Sequence, residues 1–483
     1  MGATTLCLHN TLSRTVEPIR PLVPGTVSMY SCGPTVYRPV HIGNLRSFLL
    51  GDLIRRALVS TGIGVRQVMN ITDVGHMTDE IYDRGEDKML LAAADEGLTP
   101  EQIAAKYEAA FHRDGARLGI IPAEVYPRAS GHITEMIDLI GRLIERGHAY
   151  VEAGTVYYDV TTFPGYGRLS RNSLDQLRAG HRIEAVDHHK RHPADFILWK
   201  AAGPRRVVRF DSPWGEGYPG WHIECSAMSM AYLGDRFDIH TGGVDLTFPH
   251  HDDEIAQSEG ALGHPVVTTW VHGDHLLFSG QKMAKSSGNV WTLDRLEGEG
   301  HQPLDFRYLC LTSRYRRQLR FAPDALAAAG KARARLAGHL ADWGDPLDAP
   351  ESPAAKEWDH RFRDAVLDDL DFPRALTVVW GLVGDEAVSP AERAALVLDW
   401  DRVLGLGLDT LSGRRAPSEE ELPEGAAELL EARRAARERR DWAESDRLRD
   451  ALGALGVEVS DTRQGTTWRR SGASPASPDP RRS

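Results

Sequence analysis

The sequence is poor in cysteine and has no long apolar run. Four cysteines occur in 483 residues, and no stretch approaches the length of a membrane-spanning helix. Because the cysteines are far apart in the chain, a disulfide-rich scaffold is excluded, and in a reducing compartment metal binding is favoured. The first residues also lack the basic and then apolar pattern of a secretory signal. We therefore expect a cytoplasmic protein with no membrane role.

Basic charge is also in deficit. The chain has 57 lysines and arginines against 69 aspartates and glutamates, which gives a formal net charge of -12. Because phosphate neutralisation needs a local excess of lysine and arginine, this composition excludes a nonspecific nucleic-acid coat protein. One local excess does occur, between Arg433 and Arg440, where five arginines stand against one glutamate. This run is either a solvated helix face paired with nearby acidic residues or a binding surface.

The N-terminal region has the pattern of a β-α-β unit. Val27 to Cys32 predicts a short strand, and Val65 to Ile71 predicts a second one. Between them, apolar residues at three- and four-residue spacing from Leu45 predict an amphipathic helix. The segment His41-Ile42-Gly43-Asn44 falls at the start of this helix, where backbone amides favour anions. The sequence therefore predicts a parallel α/β fold.

The rest of the chain divides by pattern into an insertion, a helical region and a small terminal unit. Residues 100–210 alternate helix and strand patterns, and strand patterns return at 237–241 and 266–272, which predicts an insertion into the α/β core. Helical patterns dominate residues 325–410. The remaining segments are a Pro/Ser/Glu-rich linker at 416–425, a small helix-and-strand unit at 426–470 and a Pro/Ser-rich tail at 471–483 that we expect to be disordered.

Four residues from distant segments could form a metal site: Cys32, Cys225, His250 and Glu254. Two thiolates, an imidazole and a carboxylate suit Zn²⁺. If a helix begins at the preceding proline, the i,i+4 spacing places His250 and Glu254 on one face. His251 competes with His250 as the imidazole ligand, and isolated cysteines can also be small buried apolar residues.

Two segments have the character of nucleotide contacts, and they alternate along the chain with the potential metal ligands. His41 can donate to phosphate oxygens, and Gly43 allows close backbone approach. The segment Lys282-Met283-Ala284-Lys285-Ser286 places two cations three residues apart, which suits charge on a leaving pyrophosphate, although it could be only a solvated loop. The alternation predicts one pocket that activates a small thiol-bearing acid with ATP.

Together these residues resemble the cysteinyl-tRNA synthetase family of class I aminoacyl-tRNA synthetases. The resemblance covers about residues 5–470 and is most specific at the potential metal ligands. The segments that carry it are 29–37, 41–44, 70–73, 193–200, 219–226, 237–246, 248–258, 282–289, 441–446 and 461–470.

The resemblance implies an ATP-dependent ligase that joins L-cysteine to tRNA(Cys) through a cysteinyl-adenylate, and we expect it to be a monomer. It implies an α/β fold with a Rossmann-like parallel-sheet aminoacylation domain at residues 1–300 with its insertion, a stem-contact and helical bundle domain at 301–415, and an anticodon-binding domain at 416–470.

The positions that carry over from the family fall into five groups. The ligands of one Zn²⁺ per chain are Cys32, Cys225, His250 and Glu254, and the contacts of ATP, which carries Mg²⁺, are His41, Gly43, Asn44, Asp245 and Lys285. The amino-acid contacts are Thr72 and Trp221, and the catalytic residues are His41, Lys282 and Lys285. The tRNA contacts are Arg437, Trp442, Asp446 and Asp461.

Two positions depart from the family pattern. Asn44 stands where the family usually has a second histidine, and Ala284 replaces the usual serine between the lysines. Since an asparagine donates a hydrogen bond but carries no charge, we expect weakened rather than abolished activation. Two other hypotheses stay open: a cysteine ligase of the mycothiol type that acts on an amino-sugar, and a noncatalytic tRNA-binding paralogue.

Overall fold

A computed structural model describes the fold at residues 5–74, 77–79, 84–174, 188–203, 206–278, 281–282, 290–413, 423, 425–439, 441–462 and 465–470. The described residues form two compact units. The first lies within residues 1–331, 351–388 and 402–406, and the second within residues 332–350, 389–401 and 407–483. The predicted domain boundaries stay a prediction, because these two units interleave along the chain.

The helices, in chain order, are α1 (Ile42–Val59), α2 (Lys88–Glu96), α3 (Pro100–Arg117), α4 (Ile133–Glu145), α5 (Trp221–Leu233), α6 (His250–Leu262), α7 (Leu293–Gly298), α8 (Pro303–Leu311), α9 (Pro323–Asp342), α10 (Pro353–Leu367), α11 (Phe372–Val383), α12 (Pro390–Leu404), α13 (Leu408–Leu411), α14 (Ala426–Glu438) and α15 (Trp442–Ala454). In α3, α8, α10 and α11 a proline lies in the first turn, where its fixed φ suits the start of a helix.

The strands are β1 (Cys7–Asn10), β2 (Thr15–Pro18), β3 (Thr26–Ser31), β4 (Gly64–Met69), β5 (Met77–Asp79), β6 (Arg84–Asp87), β7 (Ala149–Glu152), β8 (Thr155–Tyr158), β9 (Phe196–Ala201), β10 (Gly217–Pro219), β11 (Phe237–Gly243), β12 (Val267–Gly273), β13 (Leu276–Phe278), β14 (Gln281–Lys282), β15 (Leu319–Phe321), β16 (Val457–Thr462) and β17 (Gly465–Arg470).

The centre of the first unit is a parallel sheet with the strand order β12-β11-β3-β4. Helix α1 connects β3 to β4, and α6 connects β11 to β12, so the two crossovers leave the β3/β11 pair in opposite directions. The carboxyl ends of β3 and β11 therefore border a crevice, the usual ligand position in such sheets. The predicted parallel α/β fold is confirmed, with each predicted strand within two residues of its observed end.

Helix α1, whose first turn faces that crevice, is held by two buried charged side chains. Arg46 donates to the backbone oxygens of Asp274 and His275, each at 2.6 Å. Asp52 accepts from Arg307 at 2.6 Å in an ion pair with no exposed side-chain surface. Because a buried charge is strongly destabilising when unpaired, these partners fix the position of α1.

The predicted insertion forms an antiparallel sheet with the order β10-β9-β8-β7. Its core is continuous with the central sheet, because buried residues of α4 and β9 pack in one cluster with Tyr30 and Val68. The alternation of helix and strand that the sequence predicts in this region is confirmed, for example by α4 and β8. Strand β10 lies beyond the predicted limit of residue 210, since a strand of three residues is too short to show an alternating pattern.

Helices α9 to α13 confirm the helical region that the sequence predicts between residues 325 and 410. Strand β15 was not predicted, and it pairs in parallel with β13. At the C-terminal end, α14 and α15 precede the β16-β17 hairpin, with Ala426, Leu452 and Val457 buried together. Most of the predicted linker and the whole predicted tail at 471–483 lie outside the described residues. No helix in the described ranges combines the length and apolar character that a membrane crossing requires.

Candidate metal and nucleotide site

The four predicted metal ligands meet at the carboxyl end of β3. Their donor atoms all lie within 4.8 Å of one another, and all four residues are buried. We call Cys32, Cys225, His250 and Glu254 the cysteine-pair tetrad. Cys32 follows β3 directly, Cys225 is in α5, and α6 begins after Pro249 as predicted, which brings His250 Nε2 to 3.2 Å from Glu254 Oε1. The sequence-predicted grouping of these residues is therefore observed.

The spacing within the cysteine-pair tetrad matches the edges of a metal-centred tetrahedron. The two sulfurs are 4.0 Å apart, and Cys32 Sγ is 3.9 Å from Glu254 Oε1. A tetrahedral Zn²⁺ with Zn–S bonds of about 2.3 Å separates two sulfurs by about 3.8 Å. A disulfide is excluded at this distance. The donor set and its spacing therefore fit a zinc ion.

The two thiols and the carboxyl group of the cysteine-pair tetrad have raised pKa values, which disfavours their ionised forms when no cation is bound. Burial raises the pKa of the Cys32 thiol, and it raises the pKa of Glu254 well above its usual range. The pKa of Cys225 is raised well above its usual value, chiefly by the contact with Cys32 and then by burial. Because a bound metal requires the ionised ligands, metal binding here would release protons.

Two further histidines reach the same centre. His240 Nε2 lies 3.5 Å from Cys32 Sγ, and His251 Nε2 lies 3.3 Å from it. The same nitrogens are 3.6 Å and 3.8 Å from Glu254 Oε1. We call Cys32, His240, His251 and Glu254 the histidine-pair tetrad, whose donor atoms also lie within 4.8 Å of one another. Burial lowers the pKa of His240 and of His251 well below the usual value, so both imidazoles are neutral.

In each tetrad, the Nδ1 atom of one histidine ligand contacts a further histidine outside the tetrad. His222 Nδ1 is 2.7 Å from His250 Nδ1, and its Nε2 is 3.3 Å from Asp253. On the other side, His272 Nε2 is 2.7 Å from His251 Nδ1. Such outer hydrogen bonds orient metal-ligating imidazoles. Sequence reasoning missed both supports, although His272 is in β12, and a histidine in a strand that is buried on both faces is a readable signal.

The two predicted amino-acid contacts lie beside residues of α5 and α6. The Trp221 ring lies 4.4 Å from the His250 ring, measured between centroids. Thr72 Oγ1 donates to Glu224 Oε2 at 2.8 Å, next to Cys225 in α5. Glu224, which sequence reasoning missed, is fully buried, and burial raises its pKa well above the usual range.

The predicted nucleotide contacts His41, Gly43 and Asn44 form the start of α1. His41 is the N-cap, and its Nδ1 accepts from the Asn44 backbone N–H at 3.2 Å. In return, Asn44 Oδ1 accepts from the His41 backbone N–H at 3.2 Å, which completes a capping box. A Cβ on Gly43 would lie 2.9 Å from the His41 ring, so only glycine leaves that ring in place.

Of the other predicted nucleotide contacts, Asp245 lies near the same crevice. Asp245 is in the turn that follows β11, half-exposed, with Oδ1 3.4 Å from His275 Nε2. Lys282 is described only by its backbone, which pairs with Leu277 in the β14-β13 ladder. Lys285 lies outside the described residues. The structure therefore groups His41, Gly43 and Asn44, and it places Asp245 at the carboxyl end of the neighbouring strand.

The predicted tRNA contacts lie in the second unit. Arg437 is in α14, and its guanidinium is 5.5 Å from the centre of the Trp442 ring. Trp442 is 56% exposed, which is unusual for so large an apolar side chain. Asp446 forms an exposed ion pair with Arg449 at 3.2 Å. The backbone of Asp461 is in β16, and its side chain lies outside the described part. The exposed Trp442 ring therefore lies beside the partly buried Arg437.

Comparison with known proteins agrees with this geometry. Residues 18–331 match the family model for the class I (C) tRNA synthetase catalytic domain, and residues 419–469 match the cysteinyl-tRNA ligase anticodon binding domain. A cysteine–tRNA ligase of Thermus thermophilus is 43% identical over 479 residues, which covers 96% of this chain and 99% of the relative. That of Deinococcus radiodurans is 42% identical over 488 residues, covering 96% and 97%.

The similarity extends to a solved structure at the level of the fold. Methionyl-tRNA synthetase of Mycobacterium tuberculosis, in complex with methionyl-adenylate, superposes with a TM-score of 0.54 at 15% identity, covering 87% of this chain and 96% of that one. The fold is thus that of class I synthetases. With both family models matched and near full-length identity above 40%, the chain belongs to the cysteine–tRNA ligase family of class I aminoacyl-tRNA synthetases.

Proposed function

We propose that the chain uses ATP to ligate L-cysteine to tRNA(Cys) through a cysteinyl-adenylate. One observation carries the proposal: the cysteine-pair tetrad and the N-terminus of α1 lie at the carboxyl edge of one parallel sheet. A metal ion held by soft donors favours a substrate with a sulfur atom, and a helix N-terminus at the crevice between β3 and β11 favours a phosphate group. Membership of the family supports the same activity. We expect the protein to act as a monomer in the cytoplasm.

The cysteine-pair tetrad would hold one Zn²⁺ per chain. When bound, this ion would take the substrate sulfur as a further ligand, which separates cysteine from serine and alanine more strongly than the about 1–3 kcal/mol that packing alone provides. Trp221 would cover the substrate side chain beside His250. Thr72, held by Glu224 and by Asn70 Nδ2 at 3.1 Å, would line the other wall.

The first chemical step is the attack of the cysteine carboxylate on the α-phosphorus of ATP. The bond between the α- and β-phosphates breaks, and pyrophosphate leaves with Mg²⁺. We propose that His41 and Asn44 donate to the phosphates, where Gly43 permits their approach. Positioning and charge stabilisation dominate such transfers, so little side-chain acid-base chemistry is required.

The remaining ATP contacts that we propose are at Asp245 and at the two lysines. Asp245, half-exposed at the end of β11, would accept hydrogen bonds from the two ribose hydroxyls. Lys282 and Lys285 would stabilise the charge on the leaving pyrophosphate.

The second step is the transfer to RNA. A ribose hydroxyl of the terminal adenosine of tRNA attacks the acyl carbon of the adenylate, an ester forms, and AMP leaves. We propose that Arg437, Trp442, Asp446 and Asp461 contact the anticodon, whose unstacked bases are read by stacking and by hydrogen bonds to their edges.

The experiment that tests the activation step is pyrophosphate exchange. Metal-replete protein is incubated with ATP and labelled pyrophosphate, with cysteine or serine in parallel. We expect exchange with cysteine, and at least about 10³-fold slower exchange with serine, because a hydroxyl is a poor ligand for zinc compared with a thiolate. Absence of cysteine-dependent exchange would refute the proposed function.

A surface variant separates activation from transfer. Because Trp442 is exposed, Trp442→Ala leaves folding intact, and exchange with cysteine should be unchanged. Ligation to tRNA(Cys) should fall about 10- to 100-fold in kcat/KM, since stacking of one base contributes about 1–3 kcal/mol. Leu455→Ala, another exposed apolar residue of the second unit, is the matched control. Equal ligation rates for both variants would remove Trp442 from the RNA contact.

A further inference from the structure

The cysteine-pair tetrad and the histidine-pair tetrad share Cys32 and Glu254 and differ in their other two donors. We propose that the histidine-pair tetrad is a second binding position for a divalent metal ion, and that one ion occupies either position but not both. The class of ligand is a borderline transition-metal ion such as Zn²⁺ or Co²⁺. This inference rests on the metal binding in the proposed function.

The distances in the histidine-pair tetrad suit a tetrahedral ion. With metal–sulfur bonds of about 2.3 Å and metal–nitrogen bonds of about 2.0 Å, a sulfur and a nitrogen ligand lie about 3.5 Å apart. Cys32 Sγ is 3.5 Å from His240 Nε2 and 3.3 Å from His251 Nε2. The corresponding nitrogen–oxygen edge is about 3.3 Å, and the observed edges to Glu254 are 3.6 Å and 3.8 Å.

Both imidazoles direct Nε2 at this position. His240 is fully buried, and its Nδ1 has no hydrogen-bond partner among the described residues, so its polar contacts there are with Cys32 and Glu254. His251 Nδ1 is engaged by His272, which leaves Nε2 for the centre. A neutral imidazole that points a nitrogen at a thiol and a carboxylate is the ligand form that metals bind.

The histidine-pair tetrad also has the outer support expected of a metal site. His272 Nδ1 is 2.7 Å from Thr11 Oγ1, and its Nε2 is 2.7 Å from His251 Nδ1. The hydrogen bonds from Thr11 through His272 to His251 orient the His251 ring, as outer-shell hydrogen bonds orient metal-ligating imidazoles. The Trp270 ring packs at 4.5 Å from the His240 ring and at 5.0 Å from the His251 ring, between centroids.

The shared residues make the two positions alternatives for one ion. An ion in the cysteine-pair tetrad has two sulfur ligands and one imidazole, whereas an ion in the histidine-pair tetrad has one sulfur ligand and two imidazoles. The first set is softer, and the second suits metals that prefer nitrogen. His250, whose ring lies 4.4 Å from the Trp221 ring, belongs to the first position, so an ion in the second position would present a different surface to the amino acid.

The test is a cobalt titration of metal-free, full-length protein, followed by the thiolate-to-cobalt charge-transfer absorbance. Two matched double variants each retain one tetrad: His240→Ala/His251→Ala and Cys225→Ala/His250→Ala. We expect about one equivalent of Co²⁺ in the wild type and in each double variant. The absorbance of Cys225→Ala/His250→Ala should be about half that of the other variant, because one thiolate replaces two.

The outcomes separate this inference from the proposed function. If Cys225→Ala/His250→Ala is folded but binds no cobalt while His240→Ala/His251→Ala binds one equivalent, the second position does not exist and the first stands. If neither variant nor the wild type binds, the metal part of the proposed function fails as well. Adding Cys32→Ala to either double variant should abolish binding, and binding that survives it would overturn the assignment of Cys32 to both positions.

A single variant serves if the double variant does not fold. In Cys225→Ala, the ion should move to the histidine-pair tetrad, so X-ray absorption should count two imidazoles on zinc instead of one. A count that stays at one imidazole would overturn the inference.

Discussion

The metal end and the nucleotide end of this site are constructed in different ways. The donors of both tetrads are buried, and the most exposed of them, Cys32, has 9% exposure. They come from β11, α5, α6 and the residue that follows β3. At the nucleotide end, Asn44 is exposed and Asp245 is half-exposed. The difference follows from the ligands: discrimination between sulfur and oxygen needs a desolvated, rigid donor set, whereas a triphosphate is bound by donors that face solvent.

The largest expected effect comes from a glycine at the metal end. A Cβ on Gly33 would lie 1.8 Å from the backbone oxygen of Asn70, and backbone cannot yield to it as a side chain can. We expect Gly33→Ala to displace Cys32 and to lower the free energy of unfolding by about 3–5 kcal/mol, the range of severe substitutions. Urea unfolding and zinc content measure this.

A helical glycine provides the control for that substitution. A Cβ on Gly141, in α4, would meet nothing within 4 Å, and Gly141→Ala should stabilise the protein by about 0.5–1 kcal/mol. If Gly33→Ala has the stability and the zinc content of the wild type, the backbone after β3 moves enough to accept the Cβ, and the prediction is contradicted.

The matching glycine at the nucleotide end should affect rate more than stability. A Cβ on Gly43 would lie 2.9 Å from His41 Cε1 and Nδ1, and this ring can rotate away. Gly43→Ala should slow cysteine-dependent pyrophosphate exchange about 100-fold, a loss of about 2.7 kcal/mol in transition-state stabilisation. It should cost only about 1 kcal/mol of folding stability through the helix cap. A large stability loss with unchanged exchange would reverse the comparison.

The acid sensitivity of the metal end is tested at His272 in metal-free protein. Burial, followed by the charges of Arg14 and His9, lowers the pKa of His272 to about 3. As the pH falls from about 6.5 toward 3, the His272 imidazole is protonated in the unfolded chain but stays neutral in the folded chain. Stability conferred by the neutral imidazole is present above 6.5 and is lost by about 1.36 kcal/mol per pH unit below it.

The variant His272→Gln removes this titration. It should be less stable than the wild type at pH 7, because the contacts with Thr11 and His251 are lost, and its deficit should shrink at pH 5. Urea unfolding at the two pH values measures the difference. A deficit that does not depend on pH would contradict the assigned pKa.

The smallest effect is expected at Asn44. Asn44→His restores the usual residue of the family and, as a cation, should speed pyrophosphate exchange by up to about tenfold, since hydrogen bonds to charged groups are about twice as strong. Asn44→Ala is the control: it loses half of the capping box and should cost about 0.5–2 kcal/mol of stability. If pyrophosphate exchange is no faster in Asn44→His than in the wild type, the Asn44 side-chain amide serves the activation step as well as a histidine does.

Much of the metal end could be predicted from sequence. Cysteines are few, and the spacing of His250 and Glu254 after Pro249 indicates one helix face, which α6 confirms. The sequence offered His251 as an alternative to His250, but the histidine-pair tetrad was not predicted, because His240 meets Cys32 through the pairing of β11 with β3. Contacts that depend on strand order leave no spacing signal in one sequence.

Other features were hidden for different physical reasons. The capping box of α1 was not foreseen, because Asn44 is a rare partner in a motif usually closed by glutamate or glutamine. In the arginine run, Arg433 is 1% exposed, so this residue belongs to the interior and not to a solvated face. A charge pattern alone does not tell which arginine of a run is buried.

The hydrogen bond at the start of α1 also fixes the tautomer of His41. Since Nδ1 accepts from the Asn44 backbone N–H, the proton of the neutral ring resides on Nε2. The ring can then offer an N–H to a phosphate oxygen without becoming a cation. Nucleotide binding through His41 should therefore persist in alkaline solution, where a histidine that acts by its positive charge would have lost it.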